Sequence, residues 1–198
     1  MLRRKIKLNT EIQRGEFKKF LTPELTSELE AAREVVLQIA WKYVGLPTSR
    51  YLDPESGSTL ETGFTCGGLI LAILREAKNS LPHLVIPDGV VHASEMFDHL
   101  GVLVHSDLAK PGDLVFSCRP SGIKPTHVGL YLYNNRRGKP YMLSSSGHDG
   151  RIVGFAPIKE VDLQITGKPK QIYTHDPIGY KRLTLTMDNP RWPQIPIF

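Results

Sequence analysis

Hydrophobic positions along this 198-residue chain follow a helical period in the first half and a strand period in the second. Thr22 and Pro23 are residue types that favour the start of a helix, and from there to Tyr43 apolar side chains recur at spacings of three and four. A second helical stripe begins at Cys66, directly after a turn-rich loop. The pattern predicts two helices that each bury one face, and a shorter helix over 93–100.

Short apolar runs bounded by turn residues predict strands in the second half. Because the helices precede the strands rather than alternate with them, the expected fold class is α+β, with N-terminal helices packed on an antiparallel β-sheet. The proline-rich end, from Asn189 to Pro196, is predicted to lack regular structure and either to cap an apolar groove or to hang free of the domain. The predicted strands cover residues 114–116, 127–132, 141–144, 151–155 and 180–185.

Composition and the distribution of charge indicate how the chain is organised into segments. The hydrophobic fraction of 40% and the charged fraction of 23% are ordinary globular values, which exclude fibrous and wholly disordered classes. The net charge is +5, and the first nineteen residues alone carry seven Lys and Arg against two Glu. We therefore divide the chain into a basic arm over 1–21, one domain over 22–185 and a tail over 186–198. A solvated arm is the preferred interpretation, and attraction to an anionic cell wall is the alternative.

The two cysteines form neither a disulfide framework nor a metal-binding pattern. Cys66 stands at a predicted helix start, where unpaired backbone N–H groups and the helix dipole are expected to lower the pKa of its thiol and make it nucleophilic. Gly67 and Gly68 have no side chains to obstruct a substrate, and nearby N–H groups can receive an oxyanion. The other interpretation of Cys66 is a small buried hydrophobe at a tight helix entry. Cys118 has no such setting and is interpreted as structural.

A thiolate nucleophile needs an imidazole beside it, and His127 is the most distinctive of the seven histidines. It opens an apolar strand directly after Lys124, Pro125 and Thr126, so its ring is expected at the edge of the sheet. Taken alone, a histidine in this position is more often structural or exposed than catalytic. The histidines interpreted as surface residues are His83, His92, His99, His105 and His175.

Three segments combine these candidates into one pattern. Residues 63–69 are Gly-Phe-Thr-Cys-Gly-Gly-Leu, residues 108–116 end in Pro-Gly-Asp-Leu-Val-Phe, and residues 126–132 are Thr-His-Val-Gly-Leu-Tyr-Leu. In this order and at this spacing they resemble the NlpC-type (new lipoprotein C) cysteine peptidases, a papain-like family of cell-wall hydrolases. The resemblance implies a papain-like catalytic domain in which Cys66 attacks an amide carbonyl. It also implies that His127 accepts the thiol proton and later protonates the leaving amine.

The substrate-binding part of the family pattern is altered. The family usually has Asp-Cys-Ser-Gly, whose acid and serine help to hold the free amine of the substrate, whereas this chain has Thr65, Cys66 and Gly67 in sequence. Thr65 and Gly67 are therefore candidates for substrate contact with a changed specificity. Tyr51 is the best match for a tyrosine that commonly lines the family's site; its other interpretation is a loop aromatic packed on the helix.

The third catalytic residue of the family is a polar side chain on the strand after the histidine. The register we prefer places Leu143 there, and an aliphatic side chain cannot orient an imidazole. Ser144 is one residue away and would lie on the opposite face of a regular strand. His148 lies beyond a glycine. Ser144 and His148 are both candidates for this position.

These features predict a cysteine peptidase or amidohydrolase that cleaves an amide, most simply in peptidoglycan stem peptides, without a metal or cofactor. The alternatives are a papain-like acyltransferase or other amide or ester hydrolase, and a wall-binding module that has lost turnover. No nucleic-acid or membrane partner is expected, and the oligomeric state is left open. No signal peptide is visible. The expected location is the cytoplasm, or the cell wall after release by another route.

Overall fold

Helices and antiparallel strands make up the described part of the chain. The computed structural model describes residues 23–49, 63–118, 124–134, 136–145, 152–158, 176–186 and 194–197. The basic arm predicted over 1–21 lies outside them. The helices among these residues are α1 (Pro23–Lys42), α2 (Cys66–Lys78) and α3 (Ala93–His99), followed by a 3-10 turn (Ser106–Leu108).

The three predicted helices are confirmed. α1 begins at Pro23, whose missing N–H costs nothing at a first helical position. α2 begins at Cys66, and α3 ends at His99, one residue before the predicted limit. α2 is amphipathic, and its buried face packs on α1 and on the sheet.

The strands form one large antiparallel sheet and one small one, so the α+β fold class is confirmed. The large sheet has the order β1-β6-β2-β3-β4-β5, and β7 pairs with β8. Every strand pair is antiparallel. The strands are β1 (Val102–Val104), β2 (Leu114–Cys118), β3 (His127–Asn134), β4 (Pro140–Ser144), β5 (Gly154–Pro157), β6 (Asp176–Arg182), β7 (Thr184–Thr186) and β8 (Gln194–Pro196).

Alternation along β3 and β4 gives the large sheet two buried faces. Val128, Leu130 and Leu143 belong to the main core beneath the helices. Tyr131 and Met142, on the other face, belong to a smaller cluster. The strands at the centre of the sheet are therefore buried on both sides, and this makes their apolar runs nearly continuous in sequence.

Two predicted strands differ from the structure. The run over 180–185 is divided at Leu183, which is fully buried and whose carbonyl accepts a hydrogen bond from the Ile197 N–H. The residues before Leu183 pair in the large sheet and those after it in the small one. The run over 151–155 also begins later, because Ile152 forms only an isolated bridge with Pro47 and β5 starts at Gly154.

The prediction that the proline-rich end lacks regular structure is wrong. Residues 194–196 form β8, paired with β7 so that Leu185 lies opposite Ile195. Ile197 is 1% exposed and belongs to the main core. Pro196 does not prevent pairing because β8 is an edge strand, where a missing N–H is tolerated.

A buried ion pair joins the turn before β2 to β6 and α1. The Asp113 carboxylate is fully buried and accepts hydrogen bonds from Arg182 Nε at 2.8 Å and Nη2 at 2.9 Å. Arg33 Nη2 lies 3.9 Å from the same carboxylate and donates to the Ile197 carbonyl at 2.8 Å. Burial lowers the pKa of Arg33 to about 10, although Asp113 opposes this. One carboxylate therefore balances two buried guanidinium groups.

Replacing Asp113 by Ala is expected to lower the free energy of unfolding by about 3–5 kcal/mol, because two buried cations lose their counter-charge. Urea unfolding followed by circular dichroism measures this. Asp107→Ala is the matched control, since that carboxylate is 82% exposed and its ion pair among the described residues is with the exposed His105. A loss below about 1 kcal/mol for Asp113→Ala would contradict the role assigned to the pair.

Candidate active site

The thiol of Cys66 lies at the first residue of α2. Thr65 is the N-cap: its backbone is extended, and its Oγ1 accepts a hydrogen bond from the Gly68 N–H at 3.0 Å. The Cys66 side chain is partly exposed and forms no disulfide. Thr65, predicted as a substrate contact, thus uses its hydroxyl to satisfy one N–H of the helix start.

The segment before Cys66 is anchored through the carbonyl of Phe64. This carbonyl accepts hydrogen bonds from the Ser49 N–H at 3.0 Å and from Ser145 Oγ, at the end of β4. Gly63 adopts a φ of +80° and lies so close to Thr48 that a Cβ would stand 2.8 Å from its carbonyl carbon. These contacts fix the entry to α2 relative to β4.

Gly67 has a packing role that sequence reasoning did not anticipate. The residue is buried, and a Cβ built on it would stand 2.2 Å from the Val91 carbonyl oxygen. The space left by its missing side chain is therefore filled by the segment before α3. The expectation that this space is open for a substrate is wrong, and substrate contact by Gly67 through its backbone stays a prediction.

His127 and Ser144 lie side by side at the ends of β3 and β4. His127 is 7% exposed, and its Nε2 lies 2.6 Å from Ser144 Oγ. The same hydroxyl lies 3.4 Å from the Ser145 carbonyl, which accepts its hydrogen. A hydroxyl both donates and accepts, so Ser144 is able to receive a hydrogen bond from Nε2–H.

The predicted register that gives Leu143 the third position is wrong. Leu143 pairs with Leu130 and belongs to the core beneath the helices. One step along, Ser144 falls opposite Gly129 and on the face of His127, because side chains alternate with a period of two. Gly129 has no side chain to come between the two polar groups, and a Cβ there would stand 2.7 Å from Met142 Sδ.

The Cys66 thiol lies against the start of β3. The backbone N–H of Val128, the residue after His127, lies near enough to the sulfur to favour its thiolate, as do those of Gly67 and Cys66 itself. Burial has the larger effect and raises the pKa of the Cys66 thiol, while these three N–H groups oppose it. The expectation that the helix start lowers the pKa of this thiol is therefore wrong in its net direction.

Four other residues bear on the site, two inside and two outside the described part of the chain. Ser117, buried on β2 directly opposite His127, was not singled out from the sequence, and neither was Ser145. Only the fold identifies them, Ser117 by its pairing across the sheet and Ser145 by its hydrogen bond to the Phe64 carbonyl. Tyr51 and His148, the remaining predicted site residues, lie outside the described part of the chain.

Among the described residues, no group of three or more His, Cys, Asp or Glu side chains is arranged to hold a metal ion. No described helix combines the length and apolarity needed to cross a bilayer.

Comparison with known families gives this site its context. The sequence model of the NlpC/P60 family matches residues 54–167, more than half of the chain. The chain belongs to the NlpC/P60 family. Proteins of this family are generally cysteine peptidases and cell-wall hydrolases. The matched region includes both Cys66 and His127.

Solved NlpC/P60 structures are similar to this chain at low identity. A lipoprotein-like NLP/P60 protein of Staphylococcus aureus is 23% identical, with a TM-score of 0.49; the match covers 77% of this chain and 41% of that protein. The P60 domain of an antigen of M. avium paratuberculosis is also 23% identical, with a TM-score of 0.49 over 67% of this chain and 88% of the domain. NlpC1 of Trichomonas vaginalis is 18% identical, with a TM-score of 0.47 over 77% and 44% of the two chains. No curated protein matches the chain.

The raised thiol pKa gives this NlpC/P60 protein a testable pH dependence. A raised pKa keeps the thiol protonated at neutral pH, so the rate of Cys66 alkylation by iodoacetamide is expected to keep rising above the ordinary thiol pKa of about 8.5. Mass spectrometry of the Cys118→Ser variant follows Cys66 alone, and Cys66→Ser gives the rate for the buried Cys118. A rate that reaches its plateau below pH 7 would contradict the raised pKa.

Proposed function

We propose that this protein is a cysteine peptidase or amidohydrolase that cleaves an amide bond in peptidoglycan stem peptides or a related amide. Cys66 is the nucleophile, His127 is the general base and acid, and Ser144 positions the imidazole. The observation that carries the proposal is the 2.6 Å contact between His127 Nε2 and Ser144 Oγ. The next residue on β3, Val128, has its backbone N–H beside the Cys66 thiol. Membership of the NlpC/P60 family supports the same chemistry.

The contact with Ser144 determines which ring nitrogen serves as the base. When Nε2 carries the hydrogen and donates it to Ser144 Oγ, the lone pair is on Nδ1, and Nδ1 is the nitrogen that takes the thiol proton. The Ser144 hydroxyl hydrogen is directed to the Ser145 carbonyl at 3.4 Å, which leaves the oxygen as acceptor. Ser144 also stabilises the imidazolium formed in the reaction.

The proposed reaction passes through a thioester. Cys66 Sγ loses its proton to His127 and forms a bond with the substrate carbonyl carbon, whose oxygen becomes an oxyanion. The backbone N–H groups of Cys66 and Gly67, which lie near the sulfur before substrate binds, are suited to receive that charge. His127 then gives its proton to the amine as the C–N bond breaks. Water, deprotonated by the same imidazole, hydrolyses the thioester and restores the thiol.

The residues around Cys66 bear on which substrates are accepted. Thr65 caps α2 where the family usually has an acid, and Gly67 packs on the Val91 carbonyl where the family usually has a serine. A substrate ammonium group therefore lacks a charge-assisted contact worth about 1.5–3 kcal/mol. We accordingly expect cleavage of acylated peptides as well as those with a free amine.

Cleavage is tested with soluble stem peptides, one with a free N-terminal amine and one N-acetylated. The wild-type protein is expected to release new amino groups from both peptides, at rates within about tenfold of each other, since the contact that would separate them further is absent. Cys66→Ala is expected to abolish release. Ser80→Ala, an exposed serine after α2, is the matched control.

Three results would contradict this function. Intact peptides after incubation with wild-type protein, while wall fragments still bind, would indicate a binding module without turnover. Transfer of the acyl group to an added amine in place of water would indicate an acyltransferase. Unchanged cleavage by Cys66→Ala would exclude the thiol as nucleophile.

Ser144→Ala is expected to lower kcat by about two- to tenfold, because the imidazole loses one orienting hydrogen bond of about 0.5–1.5 kcal/mol. The pH profile of kcat is expected to shift as well, since the imidazolium loses its acceptor. Ser144→Asn keeps an acceptor at this position and is expected to recover part of the loss. An equal loss in both variants with an unchanged pH profile would contradict a positioning role.

A further inference from the structure

A group of exposed and half-buried aromatic rings lies at the end of the sheet away from Cys66. Trp41, in the last turn of α1, is 49% exposed, and Phe155 on β5 is 41% exposed. The rings of Tyr133 and Tyr141 stack with 6° between their planes, and that of Tyr133 also stacks on Trp41 at 18°. Phe155 contacts both Trp41 and Tyr133, at 5.2 and 6.0 Å between ring centroids. We call these four residues the aromatic surface.

A β-bulge aligns the aromatic surface. The pairing of β3 with β4 is regular up to Tyr131, opposite Met142, and then shifts so that Tyr133 falls opposite Tyr141. A bulge redirects the side chain that follows it. Tyr133 thereby joins Tyr141 and Trp41, whereas Tyr131 remains in the cluster on the other face of the sheet.

Cationic side chains adjoin one end of this surface. Arg136, Arg137, Lys139 and Tyr141 line a pocket of about 350 Å³ at the turn between β3 and β4. This volume is within the range of sites that hold a small molecule or one unit of a polymer, about 300–1,000 Å³. The three cations are exposed and extend from the strand ends. Their charge complements an anionic group next to the uncharged aromatic rings.

The aromatic surface is separate from the proposed catalytic pair. His127 opens β3 and Tyr133 comes six residues later, which corresponds to about 20 Å along an antiparallel strand. A ligand at Tyr133 therefore contacts neither Cys66 nor His127 unless it is a polymer. Aromatic rings beside a cationic pocket, at this distance from Cys66 and His127, are therefore suited to bind an extended polymer.

We propose that the aromatic surface and its cationic pocket bind an anionic polysaccharide strand. Sugar rings would stack on Trp41 and Phe155, and a carboxylate would enter the pocket beside Tyr141. The cations are concentrated at one end, and Lys42, next to Trp41, is paired with Glu76 at 2.7 Å. This arrangement favours a polymer with spaced charges over a nucleic acid, whose backbone requires cations along the whole groove. The choice of a wall glycan as ligand rests on the proposed function.

Binding is tested in the Cys66→Ala variant, so that no turnover interferes. The probes are peptide-free peptidoglycan glycan strands, uncharged chitohexaose and oligothymidylate, titrated by calorimetry at low and high salt. We expect the glycan strands to bind most tightly, and we expect their binding to weaken with salt.

The surface variants are made in the same Cys66→Ala background. Adding Trp41→Ala is expected to weaken the binding of glycan strands about tenfold or more. Adding Arg136→Gln with Arg137→Gln is expected to reduce it to the level of chitohexaose. The controls are Leu103→Ala, an exposed apolar residue on β1, and Arg75→Gln, an exposed cation on α2.

Equal binding of chitohexaose and glycan strands would overturn the anionic part of the inference. Tighter binding of oligothymidylate, lost in the same variants, would replace the polysaccharide by a nucleic acid. Absence of binding, or no effect of the surface variants, would overturn the site.

Hydrolysis of a soluble stem peptide separates this proposal from the proposed function. The surface variants, made in the otherwise wild-type protein, are expected to retain this hydrolysis. Its absence from the wild-type protein, with glycan binding intact, would refute only the proposed function.

Discussion

The pairing of Leu130 with Leu143 across β3 and β4 determines which side chain reaches His127. With this register, every second residue of β4 enters the core beneath the helices, and Ser144 lies on the face of the imidazole. A shift of one residue would bring a leucine to His127 and a serine into the core. The next residue, Ser145, bonds to the Phe64 carbonyl and so joins the same strand to the entry of α2. One strand pairing thereby organises both halves of the proposed site.

Local signals account for the parts of the fold that sequence analysis predicts well. α1 begins at a proline and α2 has a capping threonine before it, and His127 opens a strand whose apolar run is long. Sequence analysis places Ser144 on the wrong face because β4 is buried on both sides, so the composition of this strand does not reveal its register. Sequence analysis misses the strand at 194–196 because its partner is eight residues or more away and the prolines in and around it argue against pairing.

Burial and the helix terminus act in opposite directions on the Cys66 thiol. The N–H groups at the start of α2 and on Val128 favour a thiolate, yet burial disfavours it more and raises the pKa. A protonated resting thiol makes the proposed reaction depend on an imidazole that accepts the proton during attack. The orientation of His127 by Ser144 is therefore the central claim of the proposed mechanism, since only one tautomer of the ring provides a lone pair on Nδ1.

The tautomer of His127 tests this claim most directly. Nitrogen-15 NMR that correlates both ring nitrogens with the ring protons distinguishes the two neutral forms. The proposed mechanism predicts hydrogen on Nε2 and a lone pair on Nδ1 in the resting wild-type protein at a pH where the ring is neutral. It also predicts a mixture of the two tautomers in Ser144→Ala. Hydrogen on Nδ1 in the wild-type protein would contradict the account, because Ser144 would then be the donor and His127 could not take the thiol proton through that nitrogen.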